Sequence, residues 1–247
     1  MANKLEVVLT PALLPFHQVK DKVVVVIDIL RATTSICVAF KTGVTRILPV
    51  SSPEEAQLFK DFDFVTAAER NAIKLDGFDL GNSPFEYENT LLKDRSIAFT
   101  TTNGTKAIKL SKDGGASSIL IGSFLNITAL SNYLISLDNK SVTLLCAGWK
   151  DKFNLEDTLY AGALVSMLEN HFNIECDAAL ASKTLYMSAQ NNLVDFVRQS
   201  SHAKRFGHNQ TQFDDVTFCL QQDTVNIVPE LKGEYIIADK QTLSAGN

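Results

Sequence analysis

The chain has 247 residues, 45% of them hydrophobic and 21% charged, and a formal net charge of −5. That length buries a large core within one α/β domain, and the acidic balance leaves no basic surplus for the phosphates of a nucleic acid. A small anion needs only two or three local cations, and no run approaches the roughly 20 apolar residues of a membrane span, so the expected partner is a small molecule and neither nucleic acid nor membrane.

The opening MANKLEVVLTPALLPF carries Lys4 and Glu6 where a signal peptide has a long apolar core. The four cysteines, Cys37, Cys146, Cys176 and Cys219, form no CxxC pair and no metal-type spacing. Buried free thiols in a reducing compartment, and so a cytoplasmic protein, are the expectation.

In chain order, Leu5 to Leu9 reads as a short strand closed at Thr10-Pro11, and a loop with two prolines follows to Asp21. The run VVVVI from Val23 to Ile27 then reads as a strand buried on both faces, the usual condition in a parallel sheet. Asp28 falls where that strand ends, at the carboxyl edge where ligands bind in open α/β folds. Arg31, Thr33 and Thr34 fall in the following turn and first helical turn, where free N–H groups and the helix dipole favour an anion. A carboxylate, a guanidinium and hydroxyls this close together suggest a metal-and-phosphate site; the alternative is a capped helix beside a structural ion pair.

The helix should run to about Lys41 and end at Gly43. Val44 to Val50 reads as the next strand, Ser51-Ser52-Pro53-Glu54-Glu55 as a capped helix start, and Phe62 to Thr66 as a third short strand. Ala67 to Asn89 looks like one long ordered loop. Three strand–turn–helix units follow, with strands at Ser96–Thr100, Ser117–Ile121 and Val142–Cys146. The alternation predicts βαβ crossovers, and so a three-layer αβα fold with a mostly parallel sheet and a ligand site at the carboxyl edge of its strands. From about Asp177 to Gln199 the pattern is helical, and Val225–Val228 and Tyr235–Ala238 read as closing strands. No linker separates this tail, so residues 1–247 are read as one domain.

Several turns carry chemistry-bearing residues. In Thr100-Thr101-Thr102-Asn103-Gly104-Thr105-Lys106 the glycine permits close backbone approach, hydroxyls and N–H groups suit phosphate oxygens, and Lys106 adds charge. The spacing is not that of a Walker loop. Gly122-Ser123-Phe124-Leu125-Asn126 is a similar turn without charge. After Cys146-Ala147-Gly148-Trp149 come Glu156 and Asp157, which suit a helix start and are also hard oxygen ligands of the kind Mg²⁺ prefers. Cys146 is read as a packed thiol, with a phosphate-accepting nucleophile as the alternative. Glu69-Arg70 and Gly81-Asn82-Ser83-Pro84 stand out in the long loop. His202 and His208 flank Lys204 and Arg205, with Asp214 and Asp215 beyond, a cluster placed to form a lid.

Taken together, VVIDILRATTS, the Glu69-Arg70 pair with GFDLGNSPFEY, TTNGTKA, GSFLN, CAGW with LEDTLYAGA, and the tail FDDVTFCLQQDTVNIVP keep one order across about residues 23 to 230. In these segments the chain resembles the ComB family, the 2-phosphosulfolactate phosphatases. The resemblance implies a Mg²⁺-dependent enzyme that hydrolyses 2-phospho-3-sulfolactate to 3-sulfolactate and phosphate, a step of coenzyme M synthesis in methanogenic archaea. On that reading Asp28, Glu156 and Asp157 are the metal ligands and, with Arg31, the catalytic set. Thr33, Thr34, Thr102, Asn103, Gly104, Thr105, Lys106, Ser123 and Asn126 bind substrate, and Arg70 meets its sulfonate or carboxylate, with Lys204 or Arg205 as a lid. Another small phosphorylated 2-hydroxy acid as substrate, or a non-catalytic protein that binds anionic metabolites, are the competing readings. A homo-oligomer is compatible with the sequence.

Overall fold

A computed structural model describes residues 3–205 and 210–238 of the chain. His208 and the side chain of Arg205, both counted above in a lid, lie outside the described parts.

The elements are β1 (Leu5–Val8), β2 (Val23–Ile27), α1 (Ala32–Thr42), β3 (Arg46–Pro49), α2 (Pro53–Leu58), β4 (Val65–Arg70), β5 (Ile73–Lys74), α3 (Pro84–Tyr87), β6 (Ser96–Thr100), α4 (Gly104–Asp113), β7 (Ser118–Gly122), α5 (Ile127–Ser136), β8 (Val142–Cys146), α6 (Leu155–Leu168), α7 (Asp177–Ala189), α8 (Leu193–Arg198), α9 (Ser201–Arg205), α10 (Gln210–Cys219), β9 (Pro229–Lys232) and β10 (Tyr235–Ala238). The strands form one mixed, mostly parallel sheet in the order β1-β8-β2-β7-β9-β10-β3-β6-β4-β5. Alternation along β2 shows why its valine run has no polar residue. Val23, Val25 and Ile27 enter one apolar core with α5, α6 and α7, while Val24 and Val26 enter a second core with α1 and α4 on the opposite face. Both faces of the strand are covered, so each position is apolar.

Strands β1, β8, β2 and β7 run parallel to one another, as do β3, β6 and β4. The antiparallel ribbon β9–β10 joins the two blocks, through Leu120 opposite Glu230 and Ile236 opposite Ile47. Three successive antiparallel steps reverse the strand sense between the blocks. In a flat sheet the ends of β2 and β6 would then lie on opposite edges and, five strand spacings apart, about 24 Å away laterally. They are in contact instead, since a β-carbon on Gly104 would lie 2.9 Å from an Asp28 carboxylate oxygen. The sheet therefore folds back across the ribbon and brings two sets of carboxyl ends to one place.

Most elements lie close to their expected positions, and Gly43 ends α1 in the left-handed region at φ 104°. Four expectations are corrected. Phe59–Phe62 is a 3-10 turn and the strand is Val65–Arg70, because the small Ala67 and Ala68, both fully buried, fit the sheet centre where Phe62 would not. The segment read as a loop from Ala67 thus holds the end of β4, the hairpin to β5 and the short α3. Val225, Ile227 and Val228 are buried without joining a strand, and pairing begins only at Pro229. The helix expected over 177–199 breaks at Gln190–Asn192, a polar 3-10 turn between α7 and α8.

Candidate active site

Asp28 stands just beyond β2, only 7% exposed. The turn that holds it is closed by Thr33, whose Oγ1 accepts from the Asp28 N–H at 3.1 Å and donates to the Asp28 carbonyl at 2.9 Å. Thr34 Oγ1 donates to the carbonyl of Ile29 at 3.0 Å and lies 3.1 Å from Ser123 Oγ. Ser123 and Asn126 form a capping box beyond β7, and the Asn126 amide donates to the carbonyls of Ile121 and Ile227. The structure thus places Thr33, Thr34, Ser123 and Asn126 in buried hydrogen bonds that shape the turns. The Leu30–Arg31 peptide bond is cis.

The turn after β6 meets this one through Gly104. A β-carbon there would lie 2.7 Å from Ala32 Cβ, so only glycine permits the approach. Thr105 is buried and Oγ1 donates to the Thr101 carbonyl at 3.0 Å. Thr102, through N–H and Oγ1, reaches Glu69 at 3.4 Å. Asn103 accepts from the Lys150 N–H at 3.0 Å, and Lys106 pairs with Asp151 at 2.7 Å on the surface.

Beyond β8 the chain turns through Gly148, at φ 61°, into a tight hairpin in which Trp149 and Lys152 exchange backbone hydrogen bonds. A β-carbon at Gly148 would lie 2.3 Å from the Lys152 carbonyl oxygen, so the hairpin requires glycine. Asp157, in the first turn of α6, accepts from the N–H of Ile29 at 2.9 Å and of Gly148 at 3.0 Å. Both its oxygens therefore hold the β2 turn against the β8 turn. Burial pushes its carboxyl well above the usual range, and the charges of Glu156 and Asp28 add to that.

Around these turns is a small, partly open recess of about 10 Å³, lined by Asp28, Arg31, Glu69, Asn82, Asn103, Trp149 and His202, with Leu30 and Ala72. That is room for about one water. Arg31 is 5% exposed; it donates through one nitrogen to Asp215 and through NH2 to the Ala72 carbonyl at 3.1 Å. Behind the recess Glu156 is fully buried, one oxygen bonded to His202 Nδ1 at 2.5 Å and the other, Oε2, without a hydrogen-bond partner among the described residues. Asn82 Oδ1, at the wall, is likewise buried without one. Burial pushes the Asp28 carboxyl up to about 7; His202 opposes this, while Glu69 and Glu156 add to it.

Arg70 lies on the other side of β4, donating to the Glu69 carbonyl at 2.7 Å and to Thr100 Oγ1 at 3.0 Å. It faces a second cleft of about 330 Å³ lined by Ser51, Thr101, Thr102, Thr105, Lys106 and Lys109. Its charged groups are all cations and the rest are hydroxyls. Cys146 is fully buried beneath the β8 turn; burial, then the charge of Asp157, pushes its thiol well above the usual value, the setting of a packed thiol.

Of the residues singled out from sequence, the structure gathers Asp28, Arg31 and Asn103 in the recess, with Glu156 behind it and Asp157 tying its turns together. Three others reach the site unassigned by sequence reasoning: Asn82, Glu69 as a wall, and His202 as the partner of Glu156. The GNSP turn and the adjacent Glu69-Arg70 pair were visible signals. The His202–Glu156 pairing, 46 residues apart, was not. Lys204 is exposed on α9, whose His202 and Ala203 are buried.

Comparison with known proteins gives the same direction. The family model described as 2-phosphosulpholactate phosphatase matches residues 8–234. Among curated relatives, a protein of Caldanaerobacter subterraneus subsp. tengcongensis is 43% identical, over 87% of this chain and 90% of its own length. One of Symbiobacterium thermophilum is 39% identical over 87% and 93%, and one of Thermotoga petrophila 38% over 91% and 96%. Each is named a probable 2-phosphosulfolactate phosphatase. With nearly the whole length matched and every segment of the recess inside the match, this chain belongs to the 2-phosphosulfolactate phosphatase family.

Proposed function

We propose that this protein is a Mg²⁺-dependent phosphoric monoester hydrolase that converts 2-phospho-3-sulfolactate to 3-sulfolactate and phosphate, acting in the cytoplasm on the coenzyme M type of pathway. The observation that carries the reading is the meeting, at the carboxyl ends of β2, β4, β6 and β8, of a buried arginine with buried acidic side chains, of which Glu156 keeps one oxygen without a hydrogen-bond partner among the described residues. Arg31 is the group to engage the phosphoryl oxygens, since a guanidinium fork matches their geometry. The Asn103 turn lies beside it at the start of α4, where backbone N–H groups favour an anion.

A cation fits what surrounds them. Among the described residues no three His, Cys, Asp or Glu side chains are grouped to hold a metal, but Mg²⁺ is commonly held by one or two carboxylates together with water and the substrate's phosphate. Glu156 Oε2 and Asn82 Oδ1 are buried oxygens in want of a positive partner, and Glu156 is close enough to Asp28 to raise its pKa. Asp28 and Glu156 are the residues that would hold the ion. When bound it would supply charge neutralisation on the phosphoryl oxygens and a more acidic water. Asp157, with an N–H on each oxygen, keeps the two turns in place. His202 holds Glu156 in orientation through its Nδ1. The Arg70, Lys106 and Lys109 cleft is the cationic surface suited to the sulfonate and carboxylate of the substrate.

The test is phosphate release from 2-phospho-3-sulfolactate, phospholactate and phosphoglycolate, each with Mg²⁺ and with EDTA. The expected result is Mg²⁺-dependent release that favours the sulfonate. Equal rates on all three would retain the hydrolase and reject the substrate, and undiminished release in EDTA would reject the metal.

A further inference from the structure

The Arg31 side chain is set from the far end of the chain. Asp215, in α10 and 184 residues away, is wholly buried, and one carboxylate oxygen takes a hydrogen bond from Arg31 NH1. Its other oxygen accepts from Ser83 Oγ at 2.6 Å. Ser83 precedes α3, and α10 is held against α3 by Phe218, whose ring meets Phe85 edge-on at 5.0 Å. A second hydrogen bond runs from Arg31 NH2 to the Ala72 carbonyl, at the β4–β5 hairpin. The guanidinium is planar, so two fixed acceptors on different nitrogens fix both its position and its plane.

Stability alone does not account for this arrangement. A buried ion pair loses so much hydration that apolar residues of the same volume often stabilise as well or better. A guanidinium that must present one face to a recess gains directly from being held. Resting on the reading that Arg31 meets the phosphoryl group, we propose that Asp215 is the positioning residue for Arg31, with Ser83 orienting the Asp215 carboxylate in turn. The α10 segment is thereby part of the phosphate site without touching substrate.

The experiment compares wild type, R31A, D215N, S83A and the double variant R31A/D215N. It reads kcat and KM for phosphate release, and binding of inorganic phosphate by calorimetry. D215N should lower kcat/KM by about 10- to 100-fold, the scale of a misplaced reacting group, and weaken phosphate binding with it. S83A should move both in the same direction by about 2- to 5-fold, since Arg31 keeps its carboxylate but loses one constraint. In the R31A background D215N should cost less than about 2-fold, because residues acting through one another are not additive. Full activity in D215N, or an equal factor in both backgrounds, would overturn the proposal. Where D215N does not fold, as judged by circular dichroism and melting, S83A against R31A/S83A makes the same comparison. A wild type that binds phosphate but releases none would reject the hydrolase, while the D215N effect on binding would still decide whether Asp215 sets Arg31.

Discussion

Gly104 gives the strictest test of how the two turns make one site. In Gly104→Ala the new methyl would start 2.7 Å from Ala32 Cβ and 2.9 Å from Asp28 Oδ2. Carbon–carbon contacts settle at about 3.5–4.0 Å, so the α4 start and the β2 turn must part by about 1 Å. Ala32 Cβ is rigidly attached to the backbone and cannot swing away. Overpacking of this kind costs about 1–3 kcal/mol, and alanine returns up to about 1 kcal/mol through helix propensity. The net loss of about 0–3 kcal/mol corresponds to a melting shift of no more than about 12 °C for a chain of this size. Activity should fall far more, because a displacement near 1 Å between catalytic groups costs on the order of 100-fold. The assay is kcat/KM for phosphate release beside a thermal melt. A Gly104→Ala protein that melts normally and keeps kcat/KM within about threefold would show that the close approach is not needed for the chemistry.

Three further outcomes follow from the burial of ionisable groups. Cys37, Cys146 and Cys219 are fully buried and burial pushes each thiol up, whereas Cys176 is half-buried; a thiol reagent at pH 8 should therefore titrate Cys176 in the native protein and all four in denaturant. Cys146→Ser should keep kcat within about threefold, and a dead variant of normal stability would revive a cysteine nucleophile. Glu6 is a partly buried carboxylate: burial alone raises its pKa, but hydrogen bonds from Lys22, Thr143 and His17 outweigh that and hold it below its ordinary value of 4.5. A lowered folded-state pKa contributes stability that is present above 4.5 and is lost as pH falls through the folded value. Glu6→Gln should cost about 1–2 kcal/mol at pH 7 and flatten the acid limb of stability measured by urea unfolding from pH 7 to pH 3; parallel acid limbs in the two proteins would refute it.

What could be read from the residues follows from the range of the forces involved. The β2 strand was legible because burial on both faces leaves only apolar residues, and the end of α1 because Gly43 must adopt a left-handed conformation. Asp28, Arg31 and the TTNGT turn were legible because a strand end followed by a helix start is a local pattern. The inversion of strand sense across β9–β10 was not, since it rests on one registered pair at each side of a ribbon near the end of the chain. From sequence, His202 and Asp215 read only as members of a charged cluster placed to form a lid. Their partners, Glu156 and Arg31, are set by how α9 and α10 return to the sheet, and no spacing along the chain encodes that.

The charges in and around the recess also constrain what enters it together. Asp28, Glu69 and Glu156 bring three carboxylates, while Arg31, the guanidinium in the recess, already faces the Asp215 carboxylate. A phosphate monoester adds up to about two negative charges, and two like charges about 5 Å apart repel by roughly 3 kcal/mol at an effective dielectric of 20. Arg31, His202 beside Glu156 and the helix start offset part of this repulsion. The deficit is met either by protons on the carboxyl groups or by a cation that the carboxylates share with the phosphate. Protonation would remove the same oxygens that are needed to hold an ion or to orient water. On the proposed reading, a divalent cation would meet the deficit and keep them. Because the coupling between two bound species is reciprocal, that reading expects cation and phosphate each to tighten the binding of the other by the same factor, which titration of phosphate with and without Mg²⁺ would check.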